Sequence, residues 1–220
     1  MTNEVAEYYD GLLDKMAKYH VSDNSRHEWV KTELTGIIRK NSTVLDIGCG
    51  TGITSIFMAK MGGTVTAVDI SPKLIDFAKV NSASEYVAYS VQNAATMRLG
   101  KTFDLIAMVD VFEHFPRANI GRVMKTIARH SHNGTAIYLN LPDARYQDAA
   151  HKYIPGRLQI IDEGYSIQRI LALFSEIGFE PIKISIYGIE CPIQYNSFFF
   201  IRRDSIAENH HSFMASFPNG

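Results

Sequence analysis

Apolar residues recur every three or four positions over the first forty residues of the chain. The first run comprises Val5, Tyr8, Tyr9, Leu12, Leu13, Met16 and Tyr19, and the second comprises Trp29, Val30, Leu34, Ile37 and Ile38. This spacing places apolar side chains on one face of a helix. The pattern therefore predicts two amphipathic helices, and the polar segment from Ser22 to Ser25 between them offers N-cap oxygens.

From Thr43 the pattern changes to short β-rich segments separated by helical stretches. The predicted strands are Thr43–Ile47, Thr64–Val68, Tyr86–Ser90, Phe103–Val109 and Thr135–Asn140. The predicted helices between them are Thr54–Lys60, Pro72–Val80 and Ala118–Arg129. Strands that alternate with helices are typical of a parallel sheet covered on both faces, and the near-continuous apolar runs fit strands buried on both sides.

The alternation stops after Asn140. Residues 141–165 are mixed in polarity and long, as lids and binding segments usually are. A helix is predicted over Ile167–Ile177, with Gly178 as its left-handed C-terminal residue. Two strands follow at Ile182–Tyr187 and Tyr195–Arg202. They must pair in antiparallel fashion, because their connection is too short for a parallel crossover.

We therefore predict an α/β fold with a doubly wound, mostly parallel seven-stranded sheet, helices on both faces and an antiparallel C-terminal strand pair. No repeat or low-complexity linker divides the chain, so residues 1–203 are predicted to form one domain. It would comprise an N-terminal helical cap (1–40), a core (41–140), an insertion (141–165) and a closing helix with two strands (166–203). The polar tail, residues 204–220, is predicted to be disordered.

The composition narrows the class of protein. Of the 220 residues, 46% are hydrophobic, and 22 basic against 23 acidic residues give a net charge of -1. Nucleic-acid and anionic-membrane binding rest on a basic excess, so this balance argues against both partners. Two cysteines are too few for a disulfide framework, and neither a signal peptide nor a membrane span is evident. We expect a soluble cytoplasmic protein.

The most informative segment is VLDIGCGTG, residues 44–52, where a buried strand runs into three glycines before a helix. Glycines there let a ligand approach backbone N–H groups. A tight strand-to-helix turn is one alternative. A dinucleotide-binding loop is another, but its third glycine or alanine would fall at Ile53. The spacing is therefore G-x-G-x-G, which disfavours a pyrophosphate site.

Asp69 follows the second predicted strand directly. A carboxylate at this tip can accept hydrogen bonds from both hydroxyls of a ribose. The alternative role is to cap the helix that begins at Pro72, but Ser71 is better placed for that role. We therefore expect Asp69 to bind a ribose.

Three segments, VLDIGCGTG, AVDIS (67–71) and FDLIAMVDVFEHF (103–115), together resemble the class I S-adenosylmethionine-dependent methyltransferases. The chain is most similar to their small-molecule group, which includes the ubiquinone-biosynthesis O-methyltransferases. The resemblance implies a Rossmann-like sheet, S-adenosyl-L-methionine as the cofactor and S-adenosyl-L-homocysteine as its product. It also implies that Asn93 contacts adenine, although relatives often have an acid there. The cofactor-binding residues it implies are Tyr9, Tyr19, Arg26, Asp46, Gly48, Cys49, Gly50, Gly52, Asp69, Ile70, Asn93, Ala94, Val109 and Asp110.

Glu113 and His114 are the candidate catalytic residues. Methyl transfer to a hydroxyl or an ammonium requires a base to accept a proton. His114 is the first candidate, because its ordinary pKa near 6.5 lets it accept a proton at neutral pH; either side chain could instead orient the loop. No metal site is predicted, and four histidines without ligand-spaced partners are interpreted as solvated: His130, His132, His210 and His211.

These residues predict an enzyme that transfers a methyl group to an oxygen or nitrogen of a small-molecule acceptor. The N-terminal helices and residues 141–165 lie outside the common sheet, so we expect them to form the acceptor site. Two alternatives are an NAD(P)-dependent oxidoreductase on a Rossmann-like fold and a non-catalytic cofactor-binding module.

Overall fold

A seven-stranded sheet forms the centre of the computed structural model, which describes residues 3–20 and 25–202. The strands are β1 (Thr43–Ile47), β2 (Thr64–Asp69), β3 (Val87–Val91), β4 (Phe103–Val109), β5 (Ser131–Pro142), β6 (Phe179–Tyr187) and β7 (Tyr195–Arg202). Their order in the sheet is β3-β2-β1-β4-β5-β7-β6. Neighbours from β3 to β5 are parallel, whereas β7 runs antiparallel to both β5 and β6. The predicted fold class is confirmed.

Helices cover both faces of this sheet. The α-helices of the described residues are α1 (Asn3–Asp10), α2 (Leu13–Ala17), α3 (Ser25–Thr35), α4 (Ile53–Lys60), α5 (Pro72–Asn81), α6 (Ile120–Arg129), α7 (Ala144–Tyr153) and α8 (Ile167–Glu176). Short 3₁₀ turns occupy Lys18–His20, Phe112–His114, Arg117–Asn119 and Pro155–Arg157. One apolar core packs α6 and α8 on the sheet, and a second packs α3, α4 and α5 on its other face.

Local sequence signals account for several element ends. Ser71 caps α5, since its Oγ accepts a hydrogen bond from the Leu74 N–H at 3.1 Å and Pro72 occupies the first helical position. Gly178 follows α8 with φ of +85°, the left-handed conformation predicted for it. The strands β1, β4 and β7 have the predicted bounds, and the other strands differ by a few residues at their ends.

The N-terminal segment departs from the predicted single helix, because it breaks between α1 and α2. The Gly11 N–H donates to the carbonyls of Glu7 and Tyr8, both at 3.1 Å, and closes the last turn of α1. Glycine has a low helix propensity, so the break occurs at this position despite the continuing apolar pattern. The predicted capping residues Ser22 to Asn24 and the predicted disordered tail, 204–220, lie outside the described residues.

Residues 141–165 contain a helix, α7, that the apolar pattern did not predict. Asp143 caps it, because its Oδ1 accepts a hydrogen bond from the Arg145 N–H at 2.9 Å. The buried face of α7 is short and partly polar, consisting of Gln147 and Ala150. A face of this kind gives no apolar periodicity in the sequence. The segment nevertheless forms a regular helix.

His130 corrects the interpretation of the histidines as solvated. It is buried, its Nε2 accepts a hydrogen bond from the Leu99 N–H at 3.0 Å, and its Nδ1 lies 2.8 Å from the Thr126 carbonyl oxygen. A histidine satisfied by two backbone groups is a structural core residue. His132 is partly exposed and lies 3.3 Å from Asp104, while His210 and His211 are outside the described residues.

Within residues 3–20 and 25–202, no group of three or more His, Cys, Asp or Glu side chains could hold a metal ion. Cys49 and Cys191 are free thiols. The same part of the chain contains no helix that is long and apolar enough to cross a membrane.

Candidate active site

A cavity of about 340 Å³ opens at the carboxyl ends of β1, β2 and β4. The strand ends contribute Asp46 and Asp69 to its lining, and the N-terminal helices contribute Tyr9 and Arg26. Residues 142–162 cover the remaining side. Ligands of open α/β sheets bind at this edge, so the cavity is the candidate active site.

Most of the predicted site residues line this cavity. Those that do are Tyr9, Tyr19, Arg26, Asp46, Gly48, Cys49, Gly50, Asp69, Ile70, Ala94, Val109, Asp110, Glu113 and His114. Gly52 and Asn93 do not. The Asn93 Oδ1 accepts a hydrogen bond from the Ala95 N–H at 2.9 Å within a turn, and the neighbouring Gln92 lines the cavity instead. The structure thus gathers fourteen of the sixteen candidates, and their individual roles stay predictions.

Two glycines of the loop are required by neighbouring side chains as well as by the backbone conformation of the turn. Gly48 has φ of +75°, and a Cβ at this position would lie 2.3 Å from the Val111 side chain. Gly52 has φ of +84°, and a Cβ there would lie 2.6 Å from the Tyr89 hydroxyl. Close packing on both sides therefore requires these two glycines. It also explains why Gly52 belongs to the motif without lining the cavity.

Asp69 connects the end of β2 to the glycine loop. Its Oδ2 accepts a hydrogen bond from the Gly50 N–H, and its Oδ1 accepts one from the Ser71 N–H, both at 2.9 Å. Burial raises the pKa of Asp69, while these backbone donors oppose the shift. Each carboxylate oxygen can accept more than one hydrogen bond. Asp69 can therefore hold the loop and still accept hydroxyl donors from a ligand in the cavity.

Asp46 lies behind the loop, at the end of β1. The Ser55 hydroxyl of α4 donates a hydrogen bond to its Oδ2 at 2.6 Å. Burial raises the pKa of this carboxyl to about 7, and the nearby Asp69 adds to the rise. Asp46 thus ties β1 to α4 around the loop.

We expect Asp46→Asn to remove part of the pH dependence of stability. The folded state binds the Asp46 proton more tightly than the unfolded chain, whose aspartate pKa is about 3.9. Its contribution is therefore complete below about pH 4 and is lost as the pH rises towards about 7. Between about pH 5 and pH 7 the wild type should lose about 2 kcal/mol relative to the variant, measured by urea unfolding. Parallel stability curves for the two proteins would contradict this assignment.

A series of polar contacts through Asp110 links α3 to β5 and β6. Arg26 Nε lies 2.8 Å from Asp110 Oδ2, and Asn140 Nδ2 donates to Asp110 Oδ1 at 2.8 Å. The Tyr187 hydroxyl then donates to Asn140 Oδ1 at 2.7 Å. The Asp110 carboxylate raises the pKa of Arg26, so the guanidinium stays charged. Asp110 itself has φ of +50°, a rare backbone conformation for a residue other than glycine, and such conformations cluster at functional sites.

Glu113 and His114 lie side by side in the turn after β4, and both are buried. Burial and the nearby carboxylates of Asp110 and Asp162 raise the pKa of Glu113 well above its usual range. Burial lowers the pKa of His114, so the imidazole is neutral near pH 7. The pair thus offers a neutral ring that can accept a proton beside a carboxyl group that favours its protonated form.

Asp162 is a cavity residue that the sequence did not reveal. Its Oδ1 lies 3.4 Å from His114 Nδ1, although 48 positions separate the two residues in the chain. Tyr195, at the start of β7, is a second such residue, and its hydroxyl accepts a hydrogen bond from Arg26 Nη1 at 3.4 Å. Neither belongs to a recognisable local motif. For Asp162 the available signal was the polar character of the insertion, and Tyr195 had none.

Comparison with protein-family models identifies a methyltransferase domain over residues 44–134. The magnesium-protoporphyrin O-methyltransferase of Rhodobacter capsulatus is 39% identical over 93 residues, which cover 41% of this chain and 41% of that protein. The ubiquinone biosynthesis O-methyltransferase of Xanthomonas euvesicatoria is 36% identical over 104 residues, covering 44% of this chain and 41% of that protein. The chain thus spans about two fifths of the length of these curated relatives.

Solved structures share the fold over most of the chain. The magnesium protoporphyrin IX methyltransferase of Synechocystis, solved with bound S-adenosylhomocysteine, has a TM-score of 0.72 and 18% identity, covering 91% of this chain and 98% of that one. A TehB-like S-adenosylmethionine-dependent methyltransferase from Corynebacterium glutamicum has a TM-score of 0.68 and 15% identity, covering 89% and 98%. The fold is that of the class I methyltransferases.

Proposed function

We propose that this chain, which carries a methyltransferase domain over residues 44–134, transfers a methyl group from S-adenosylmethionine to an oxygen or nitrogen of a small molecule. The observation that carries the proposal is one cavity that joins the glycine loop and Asp69 to Glu113 and His114. The first pair suits a nucleoside cofactor, and the second suits removal of a proton. No other part of the described structure combines these two chemistries.

The residues present fit the cofactor. Asp69 is a buried carboxylate at the tip of β2, and it retains the capacity to accept hydrogen bonds from ribose hydroxyls. The Tyr9 hydroxyl is buried, lines the same cavity and has no hydrogen-bond partner among the described residues. An unpaired buried hydroxyl is costly, so a ligand group is its expected partner. When bound, the sulfonium supplies an electrophilic methyl group whose bond to sulfur breaks with the electron pair left on sulfur.

The chain's own contribution to the reaction is to align the acceptor and to remove its proton. The acceptor atom forms the new bond to carbon, and its proton passes to the neutral ring of His114. Proximity and orientation supply much of the rate in a displacement of this kind. Arg26 pairs with Asp110 at 2.8 Å and so holds the start of α3 against the end of β4 at the cavity.

The relatives' names support a small organic acceptor without defining it. By their names, those relatives are O-methyltransferases of ubiquinone biosynthesis or of magnesium protoporphyrin, and the matches to them cover 41–44% of this chain. The oxidoreductase alternative has no comparable support, because Ile53 occupies the position that its third glycine or alanine requires.

Calorimetric titration with S-adenosylmethionine and S-adenosylhomocysteine tests the proposal directly. We expect saturable binding of both, with one site per chain, and transfer of labelled methyl groups from S-adenosylmethionine into a small-molecule extract. NAD serves as the matched control ligand and should not bind. Binding of NAD, with no binding of either S-adenosyl compound, would contradict the proposed function. Binding of S-adenosylmethionine without methyl transfer would favour a non-catalytic module.

A further inference from the structure

The segment from Gln159 to Glu163 is docked on the turn that contains Glu113 and His114. The Glu163 N–H donates to the Glu113 carbonyl at 2.8 Å, and the Ile161 carbonyl oxygen lies 2.6 Å from His114 Nδ1. Two backbone groups of the insertion therefore meet two consecutive residues of the candidate catalytic turn. The covering segment and the candidate base form one hydrogen-bonded unit.

We infer that this segment fixes the tautomer of His114, with the Ile161 carbonyl as the acceptor and Asp162 as the positioning residue. The inference rests on the proposed methyl transfer. A carbonyl oxygen can only accept a hydrogen bond, so at 2.6 Å the ring nitrogen Nδ1 must carry the hydrogen. The Asp162 carboxylate, 3.4 Å from the same nitrogen, reinforces this arrangement. Nε2 is then the nitrogen with the free lone pair, and Glu113 Oε1 at 3.7 Å is too distant to bond to it.

Asp162 holds the Ile161 carbonyl in place by closing a turn. Its Oδ2 accepts a hydrogen bond from the Gln159 N–H at 2.7 Å, and its Oδ1 accepts one from Gln147 Nε2 at 3.2 Å. The carbonyl oxygen of Asp162 lies 2.8 Å from His151 Nε2. Because Gln147 and His151 belong to α7, the turn is anchored to the helix that covers the cavity.

The charged groups around His114 come from every element packed on it. Asp162 faces it from the insertion, Asp110 and Glu113 from the turn after β4, and Arg26 from α3; the Tyr9 ring of α1 lies 5.9 Å away. Burial lowers the pKa of His114, whereas the Asp162 carboxylate raises it. With the ring neutral, the tautomer decides which nitrogen can take a proton. Covering the cavity and preparing the base are therefore coupled.

Nuclear magnetic resonance of the full chain labelled with ¹⁵N-histidine tests the tautomer, and His114→Gln identifies the His114 signals. We expect the neutral ring of His114 to carry its proton on Nδ1. A ring protonated mainly on Nε2 would overturn the inference. This measurement needs neither cofactor nor turnover, so its outcome is independent of whether the proposed function holds.

Asp162→Asn tests the positioning role kinetically. We expect kcat to fall about tenfold with little change in KM, because only part of the proton-transfer contribution is lost. The acid limb of the kcat profile should move to lower pH, since the carboxylate that raises the pKa of His114 is gone. The ¹⁵N resonances of His114 in this variant should also show increased protonation of Nε2.

Gln147→Met, which removes one donor to Asp162, should produce a smaller change of the same kind. The matched control is Asp148→Asn on the exposed side of α7, which should leave kcat, the pH profile and the tautomer unchanged. Wild-type kinetics and tautomer in both Asp162→Asn and Gln147→Met would refute the positioning role. That result would leave the proposed methyl transfer standing.

Discussion

His114→Gln is expected to lower kcat by about 10²- to 10⁴-fold while the affinity for S-adenosylmethionine changes little. Glutamine is polar and of comparable size, but its amide cannot accept the proton that the acceptor must lose. In the wild type, burial lowers the pKa of His114, so the acid limb of the kcat profile should lie below the usual histidine range. Methyl-transfer rates measured from about pH 5 to pH 9 should show this limb in the wild type and not in the variant.

Two matched variants separate this effect from a general change of charge. His132→Gln alters a partly exposed histidine that does not line the cavity, and it should leave kcat unchanged. Glu113→Gln should have a smaller effect than His114→Gln, because the raised pKa of Glu113 already favours an uncharged group. A kcat for His114→Gln within about twofold of wild type would show that alignment alone drives the reaction.

Asp69→Ala is expected to weaken binding of S-adenosylmethionine about 100-fold. Hydrogen bonds to a charged group contribute about 1.5–3 kcal/mol, so loss of the proposed ribose contacts would account for a change of this size. The substitution also leaves the N–H groups of Gly50 and Ser71 without their acceptor, which loosens the glycine loop. Titration calorimetry with S-adenosylhomocysteine, which shares the ribose, should give a loss of similar size.

Asp69→Asn distinguishes the two contributions, because it retains one carbonyl oxygen for the loop and removes the charge. We expect an intermediate affinity for this variant. Asp76→Ala, at an exposed position on α5, is the control and should bind as the wild type does. Equal affinity in the wild type and Asp69→Ala would exclude Asp69 from the cofactor site. Another hydrogen-bond acceptor lining the cavity would then have to bind the ribose.

The sheet could be predicted from the sequence because its central strands are buried on both faces. Leu105–Val109 and Val65–Val68 are nearly continuous apolar runs, and such runs have few alternatives in an α/β chain. The glycine loop was also predictable, but the reason for its glycines was not. Gly48 is required in part by Val111, a contact between two segments that only the folded sheet brings together.

The insertion, residues 141–165, could be predicted only as a segment without a defined structure. The chain passes through α7 and a turn before it brings Asp162 close to His114. Neither element is predicted by a periodic apolar pattern. His130 was misread for a related reason, since its partners are backbone groups of Leu99 and Thr126 and carry no residue signature. A polar site formed by backbone groups cannot be predicted from residue types, because every residue has the same backbone carbonyl group and nearly every residue has an N–H group.

The position of β7 has a consequence for synthesis of the protein. β7 follows β6 in the chain but lies between β5 and β6 in the sheet, pairing through Tyr195–Arg202. During synthesis β6 leaves the ribosome before β7, its partner in the described sheet, is free to pair with it. Translation at roughly 5–20 residues per second leaves β6 unpaired for about a second or more. During that interval β6 presents unpaired backbone N–H and C=O groups, beside Ile182, Ile184 and Ile186, which stay exposed in the folded structure.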